Sequence, residues 1–303
     1  MTSIPYLSEE DLTKLGITAE DAINSIESAI RGGEGGTVWS APKAVIMPPD
    51  DGRYMMAALA AMDEPSLLAV KTVVLNPRNS GRGLPQINGL VTMLDSETGV
   101  PAAILDGNWI TAVRTAGLSA TAAKYLANKT SESVGFIGCG VQARSHLRAF
   151  AQMFPLKRIK LFGRGQPNKD ALADTAKELG LAVESYETGQ QAIEDVDIIV
   201  TSITLTGGPE PFLDASGIKA GAFAAITDLG VPWKKDSFSA LDRIIIDDVA
   251  QEAALPNKLC DPSLIAGDIS QLVLGKCDGR KAAEERTTFL FRGHALGDLA
   301  LSV

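Results

Sequence analysis

Residues 134–143 read Val-Gly-Phe-Ile-Gly-Cys-Gly-Val-Gln-Ala, an apolar run that breaks at Gly138-Cys139-Gly140 and resumes with Ala143, Leu147 and Phe150 at helical spacing. That order describes a buried strand, a tight turn and a helix start. Glycine at the turn permits a close backbone approach that a Cβ would obstruct. The helix start beyond it offers N–H groups without intrahelical partners and a partial positive charge, which together suit a pyrophosphate. Ala143 stands at the third small position of G-x-G-x-x-G/A, where helix packs closely on strand. Taken alone, the same glycines could make an ordinary βα turn, so the flanking sequence has to settle the reading.

Downstream, apolar runs and amphipathic segments alternate. Strands are expected near 158–162, 183–186 and 198–202, with helices over 142–153, 169–179 and 190–196 and further buried strands at 223–227 and 243–246. Short loops between alternating strands and helices are the signature of a doubly wound parallel sheet. Residues 261–303 read as mostly helical, interrupted at 275–279. Upstream, two capped helices (8–15 and 18–30) end at Gly32-Gly33 and Gly35-Gly36. Strand-like segments follow at 43–47, 54–61, 67–75, 89–95 and 102–106, the pattern of an antiparallel or mixed sheet. An alanine-rich helix over 111–128 links the two regions. The expected fold is α/β: a Rossmann-type doubly wound parallel sheet over 114–294, plus a smaller α+β domain over 1–113 that residues 295–303 rejoin.

Bulk composition narrows the class. The 303 residues exceed one ordinary compact domain, and 45% hydrophobic with 21% charged residues is globular usage. A net charge of −9 supplies no general field for polyanions, so nucleic acid and anionic membrane are not expected partners. Three cysteines without C-x-x-C spacing suit a reducing cytoplasm, and no stretch approaches the roughly 18 apolar residues of a membrane span.

Three charged residues stand in surroundings that do not explain them. Lys71 interrupts the apolar run LLAVKTVVL, where a lysine must snorkel out or face a polar cleft. Arg114 lies among small residues with no acid at helical spacing and could fork onto a carboxylate or phosphate. Asp228 follows the apolar run Phe223-Ala224-Ala225-Ile226-Thr227, at what should be the carboxyl end of the parallel sheet, the edge where such sheets bind ligands.

In order, Lys71-Thr-Val-Val-Leu-Asn-Pro, Arg114-Thr-Ala-Gly-Leu-Ser-Ala, Gly138-Cys-Gly-Val-Gln-Ala-Arg and Asp228 resemble the ornithine cyclodeaminase/μ-crystallin family over nearly the whole chain. The resemblance implies a dimerising substrate domain beside a Rossmann domain. It also implies hydride transfer between a nicotinamide and an amine-bearing carbon, as in the family's alanine dehydrogenases, imine and ketimine reductases and cyclodeaminases. Carried over by position, Lys71 matches the lysine at the reacting centre, Asp228 the proton-handling carboxylate, and Arg114 the arginine that reaches substrate carboxylate and cofactor phosphate. Gly138, Gly140, Val141 and Gln142 match the pyrophosphate loop, Thr204 a residue against the nucleotide, and Lys235 is a weaker match. Lys43 and Arg53 resemble the carboxylate clamp of the alanine dehydrogenase branch. The glutamate that cyclodeaminases use for the distal amine of ornithine has no counterpart in YMMAALAAM (54–62), which disfavours ornithine cyclodeamination.

The expected activity is therefore NAD(P)H-dependent reduction of a small α-imino or α-keto acid by a cytoplasmic homodimer. A cyclodeaminase that recycles NAD is the same-class rival. A non-catalytic carrier of a nicotinamide or small ligand is the other, and the presence of Lys71 and Asp228 weighs against it. NADP is favoured over NAD because 162–164 ends Phe-Gly-Arg with no acid for a ribose 2′-hydroxyl, and Arg164 would suit a 2′-phosphate. His146 is expected at a solvated or core-edge position and His294 in a glycine-flanked turn. Two distant histidines give no metal-ligand spacing.

Overall fold

The computed structural model describes residues 3–204 and 210–303. The chain forms two compact units, Met1–Arg114 with His294–Val303, and Thr115–Gly293. Arg114 and His294 thus belong to the first unit, where the sequence reading had assigned both to the second.

The first unit begins with β1 (Tyr6–Leu7), α1 (Glu9–Lys14) and α2 (Ala19–Gly35). Ser8 and Thr18 cap the two helices through capping boxes with Asp11 and Asp21. α2 continues through the glycines expected to end it and stops only where Gly36 turns left-handed at φ 75°. Strands β2 (Val38–Ser40), β3 (Ala44–Ile46), β4 (Tyr54–Met62), β5 (Leu67–Leu75), β6 (Ile87–Leu94) and β7 (Pro101–Asp106) complete a sheet ordered β1-β7-β6-β5-β4-β2, with β3 also on β4. All its pairs are antiparallel except β1 with β7. The register sets Ala58, Lys71, Val91 and Leu105 in one row across β4 to β7, and each of the four is buried. Because side chains alternate across a strand, the opposite face presents Leu59, Val74 and Leu90, all exposed.

Helix α3 (Gly107–Leu126) starts four residues earlier than its alanine-rich pattern suggests, since the Asp106 carboxylate takes the Trp109 N–H at 2.8 Å. It carries the chain into the second unit: β8 (Ser133–Ile137), α4 (Val141–Met153), β9 (Arg158–Phe162), α5 (Gln166–Glu178), β10 (Ala182–Ser185), α6 (Gly189–Ile193), β11 (Ile198–Thr201), β12 (Phe223–Ile226), β13 (Arg243–Ile246), α7 (Val249–Ala254), β14 (Ile265–Asp268), α8 (Ile269–Val273) and β15 (Thr287–Leu290). The sheet is parallel throughout, ordered β10-β9-β8-β11-β12-β15-β13-β14. Its central strands are buried at every residue, as a sheet covered on both faces requires.

The largest departure from expectation lies in residues 261–303, which hold two strands besides short helices. β15 inserts between β12 and β13, at the heart of the sheet. Thr287, Thr288 and Phe289 are good strand formers, and β12 and β13 satisfy their backbone groups from both sides. The chain closes in the first unit with α9 (Ala295–Ala300), which packs on α2, β4 and β5.

Candidate active site

In the first unit, Lys71 is the residue the fold treats most unusually. Its side chain is fully buried in an otherwise apolar row, and its Nζ donates to Asp298 Oδ1 at 2.6 Å. Arg114 Nε lies 3.0 Å from the same oxygen, and both Arg114 and Asp298 are almost fully buried. Burial and the neighbouring Arg114 charge pull the Lys71 pKa down to about 7, against the opposing pull of Asp298, while Lys43 adds a further lowering push. Two of the residues singled out in the sequence, Lys71 and Arg114, therefore meet at a third that was not.

Asp298 had a readable signal. It is a lone carboxylate in the apolar run Ala-Leu-Gly-Asp-Leu-Ala, the same kind of anomaly that marked Lys71. Lys43 is half-buried and its charge reaches Lys71. Arg53 is placed differently: its guanidinium pairs with Asp51, Nε to Oδ2 at 2.6 Å. That partner sits only two residues upstream and could have been read locally. His294 caps α9, its Nδ1 accepting the Leu296 N–H at 3.2 Å.

In the second unit, Asp228 lies two residues past β12, at the carboxyl edge of the sheet, and is 1% exposed. Thr201 Oγ1 donates to its Oδ1 at 2.9 Å and the Ile203 N–H to its Oδ2 at 3.0 Å. Burial still outweighs these bonds and raises the carboxyl pKa to about 6. Trp233, wholly buried, donates to Thr201 Oγ1 at 3.3 Å, extending the network. The next residue, Leu229, sits at φ 59°, a left-handed conformation that non-glycine residues adopt at a cost. Strain of this kind gathers at sites where geometry is over-determined.

The glycine turn has the geometry of a cradle. Gly138 adopts φ 87°, and a Cβ there would meet the Ser202 carbonyl oxygen at 2.7 Å. Gly140 begins α4 without a side-chain cap, and a Cβ on it would meet nothing within 4 Å. Open space above uncapped N–H groups at the start of a 13-residue helix fits a dinucleotide pyrophosphate. Val141 is exposed beside it and Gln142 half-buried.

His146 is not solvated: it is completely buried beneath this turn. Its Nδ1 lies 2.7 Å from the Gln142 carbonyl oxygen, so it carries the hydrogen, and Nε2 accepts from Ser119 Oγ at 2.9 Å. Burial lowers its pKa to about 4, leaving a neutral ring that pins the first turn of α4 to α3. Arg164 is exposed just past β9, where residues 162–169 contain no acid. Thr204 is exposed three residues beyond β11. Lys235 bonds the Lys258 carbonyl at 2.7 Å and its charge bears on Cys260.

The chain as a whole is similar to known proteins. The mouse ketimine reductase mu-crystallin is 28% identical over 302 residues, covering 97% of this chain and 94% of that protein. The structure of Thermococcus litoralis Δ1-pyrroline-2-carboxylate reductase in complex with NADH and L-proline superposes with a TM-score of 0.89 at 26% identity, covering 99% of this chain and 95% of that one. An archaeal alanine dehydrogenase dimer with bound NAD gives a TM-score of 0.85 at 25% identity, with 99% and 93% covered. The model of the ornithine cyclodeaminase/mu-crystallin family matches residues 7–302, and the chain belongs to that family.

Proposed function

We propose that this protein is a nicotinamide-dependent oxidoreductase that reduces a small α-imino acid, or an α-keto acid together with ammonia, to the amino acid. The observation that carries the reading is Lys71, wholly buried and sharing the Asp298 carboxylate with Arg114. A cation kept in such surroundings is suited to an anionic substrate and to proton transfer near neutrality. The relatives' names, a Δ1-pyrroline-2-carboxylate reductase, a ketimine reductase and an alanine dehydrogenase, support the same chemistry.

Gly138, Gly140, Val141 and Gln142 would hold the pyrophosphate, Arg114 a cofactor phosphate as well as the substrate carboxylate, and Thr204 would lie against the nucleotide. Lys235 is the weakest of these assignments. When bound, the nicotinamide supplies the hydride. Lys43 and Arg114 orient the substrate carboxylate, with Arg53 joining only if Asp51 releases it. Lys71 Nζ donates to the reacting nitrogen or carbonyl oxygen, and the Asp228 carboxyl delivers the proton in reduction and accepts it in oxidation. The test is a spectrophotometric assay with NADPH or NADH against cyclic imino acids and against keto acids with ammonia. Turnover is expected. Ammonia release from ornithine or lysine without net nicotinamide reduction would instead establish a cyclodeaminase, and no reaction with any of them would refute both.

The glycine pair separates folding from binding. Gly138→Ala is expected to cost about 1–3 kcal/mol of stability, because a side chain is strained at φ 87° and meets the Ser202 carbonyl. Gly140→Ala should melt within a few degrees of wild type yet bind the dinucleotide at least tenfold more weakly, since only a ligand would meet the new methyl. Thermal melts alongside nicotinamide fluorescence titration check both.

NADPH is the proposed cofactor over NADH. Arg164→Ala should weaken NADPH binding about tenfold and leave NADH nearly unchanged, as the loss of one charge-assisted contact predicts. Equal effects on both cofactors would refute the preference. The proposed assembly is a homodimer through the open face of the first sheet, where Ile46, Leu59, Val74 and Leu90 are exposed. The archaeal alanine dehydrogenase, described as a dimer, supports it. No helix among the described residues is long and apolar enough to cross a membrane. Three free cysteines suit the cytoplasm as the proposed compartment.

A further inference from the structure

Three elements converge on one carboxylate oxygen. β5 supplies Lys71, α3 supplies Arg114 and α9 supplies Asp298, whose Oδ1 lies 2.6 Å from the first cation and 3.0 Å from the second. The two cations are therefore less than about 6 Å apart, in a place from which water is nearly excluded. Like charges so close and so desolvated repel strongly, and a shared anion is what permits both to stay charged.

The anion is also rigidly mounted. α9 is capped by His294, and the Asp298 carbonyl accepts from Ser302 Oγ at 2.7 Å. The Ser25 hydroxyl of α2 donates to the Ala300 carbonyl. Such tethering is unnecessary for a carboxylate that merely fills a gap, and natural to one that sets the position of its partners.

We propose that Asp298 is a positioning residue for the reduction: it binds Lys71 and Arg114 into one cluster of net charge +1, keeps Lys71 in its ammonium form, and leaves a single positive charge for the substrate carboxylate to neutralise. The inference rests on the functional reading above and adds to it the residue that keeps Lys71 charged where it donates to the reacting atom. Asp298 itself does not touch the reacting atoms.

The groups facing Lys71 fix the direction of the effect. Arg114 from α3 and Lys43 from the segment before β3 disfavour the ammonium, as does burial between Ala58 and Val91, and Asp298 opposes them. Their balance sets the Lys71 pKa at about 7. With Asp298 neutralised, the downward pull from burial, Arg114 and Lys43 is left without its counterweight among the described residues. Lys71 then gives up its proton, and Arg114 alone keeps the cluster at +1, so substrate affinity changes little while the charged hydrogen bond from Lys71 to the reacting atom is lost.

The experiment compares wild type with Asp298→Asn and Asp298→Glu, reading Lys71 directly by NMR of protein labelled at the lysine ε-carbon, assigned with Lys71→Met. Asp298→Asn should lower the Lys71 titration midpoint by at least about one pH unit. It should also reduce kcat about fivefold or more at pH 7 with KM within about threefold, the loss shrinking as the pH falls. Asp298→Glu should restore part of both. A folded Asp298→Asn protein whose Lys71 midpoint is unmoved, or whose kcat falls equally at every pH, would overturn the proposal. Should Asp298→Asn not fold, Asp298→Glu decides, since displacing the carboxylate by one methylene must also move the midpoint. Should wild type reduce none of the imino or keto acids, the functional reading fails, and the NMR titration still decides the role of Asp298.

Discussion

Lys71→Met is expected to lower kcat/KM for imino-acid reduction by about two to four orders of magnitude, the range associated with losing a positioned acid–base group, while the protein becomes more resistant to heat at neutral pH. The activity follows from the assignment of Lys71 Nζ as donor to the reacting atom. The stability follows from burial. Lys71 titrates at about 7 in the folded protein, below the ordinary lysine value. A depressed folded pKa means that its contribution to stability is present above the unfolded pKa and lost as the pH falls through about 7. At pH 6 the wild type carries the whole cost of a buried ammonium, which methionine removes. The thioether chain keeps the packing between Ala58 and Val91, and Asp298 remains paired with Arg114. Thermal melts at pH 6 and pH 10 should show the variant's advantage shrinking at the higher pH. Activity within threefold of wild type would remove Lys71 from the reaction.

The second large effect concerns Asp228. Its carboxyl pKa, raised to about 6 by burial, makes the two directions of the reaction respond oppositely to pH. Reduction needs the protonated acid, so kcat/KM in that direction should fall as the pH rises above about 6. Oxidation needs the carboxylate and should rise through the same interval to a plateau. Asp228→Asn is expected to lower both by about 100- to 10,000-fold and to abolish the limb near pH 6. The amide oxygen can keep the Ile203 N–H while its NH2 donates to Thr201 Oγ1, so the side chain sits in the same place and circular dichroism and melting should stay close to wild type. An unchanged pH profile in the variant would show that another group moves the proton.

Several features were missed because their partners are remote or their context was read too locally. β15 looked like part of a helical tail, since Thr287–Leu290 is short and last in order among the strands. Its place between β12 and β13 comes from pairing with chain that lies far upstream. The helix α2 was cut short at glycines that a helix end packed on β2 can tolerate. Arg53 is the opposite case: its partner Asp51 lies only two residues away, so a local ion pair takes the guanidinium that the resemblance gives to a ligand.

The sequence alone was enough for the glycine turn, the strand and helix alternation, the isolation of Lys71 and Arg114, and the position of Asp228 after an apolar strand. Each depends on neighbours within one or two turns of chain, where periodicity and turn chemistry act. What needed the folded molecule was the company those residues keep. Lys71 and Asp298 are 227 residues apart in the chain and 2.6 Å apart in space. No local pattern encodes that meeting, because it arises from α9 returning to pack on β4 and β5 after the whole second unit has been built. Burial, and with it the pKa values of about 7 and about 6 that give Lys71 and Asp228 their proposed chemistry, is likewise a property of the assembled core.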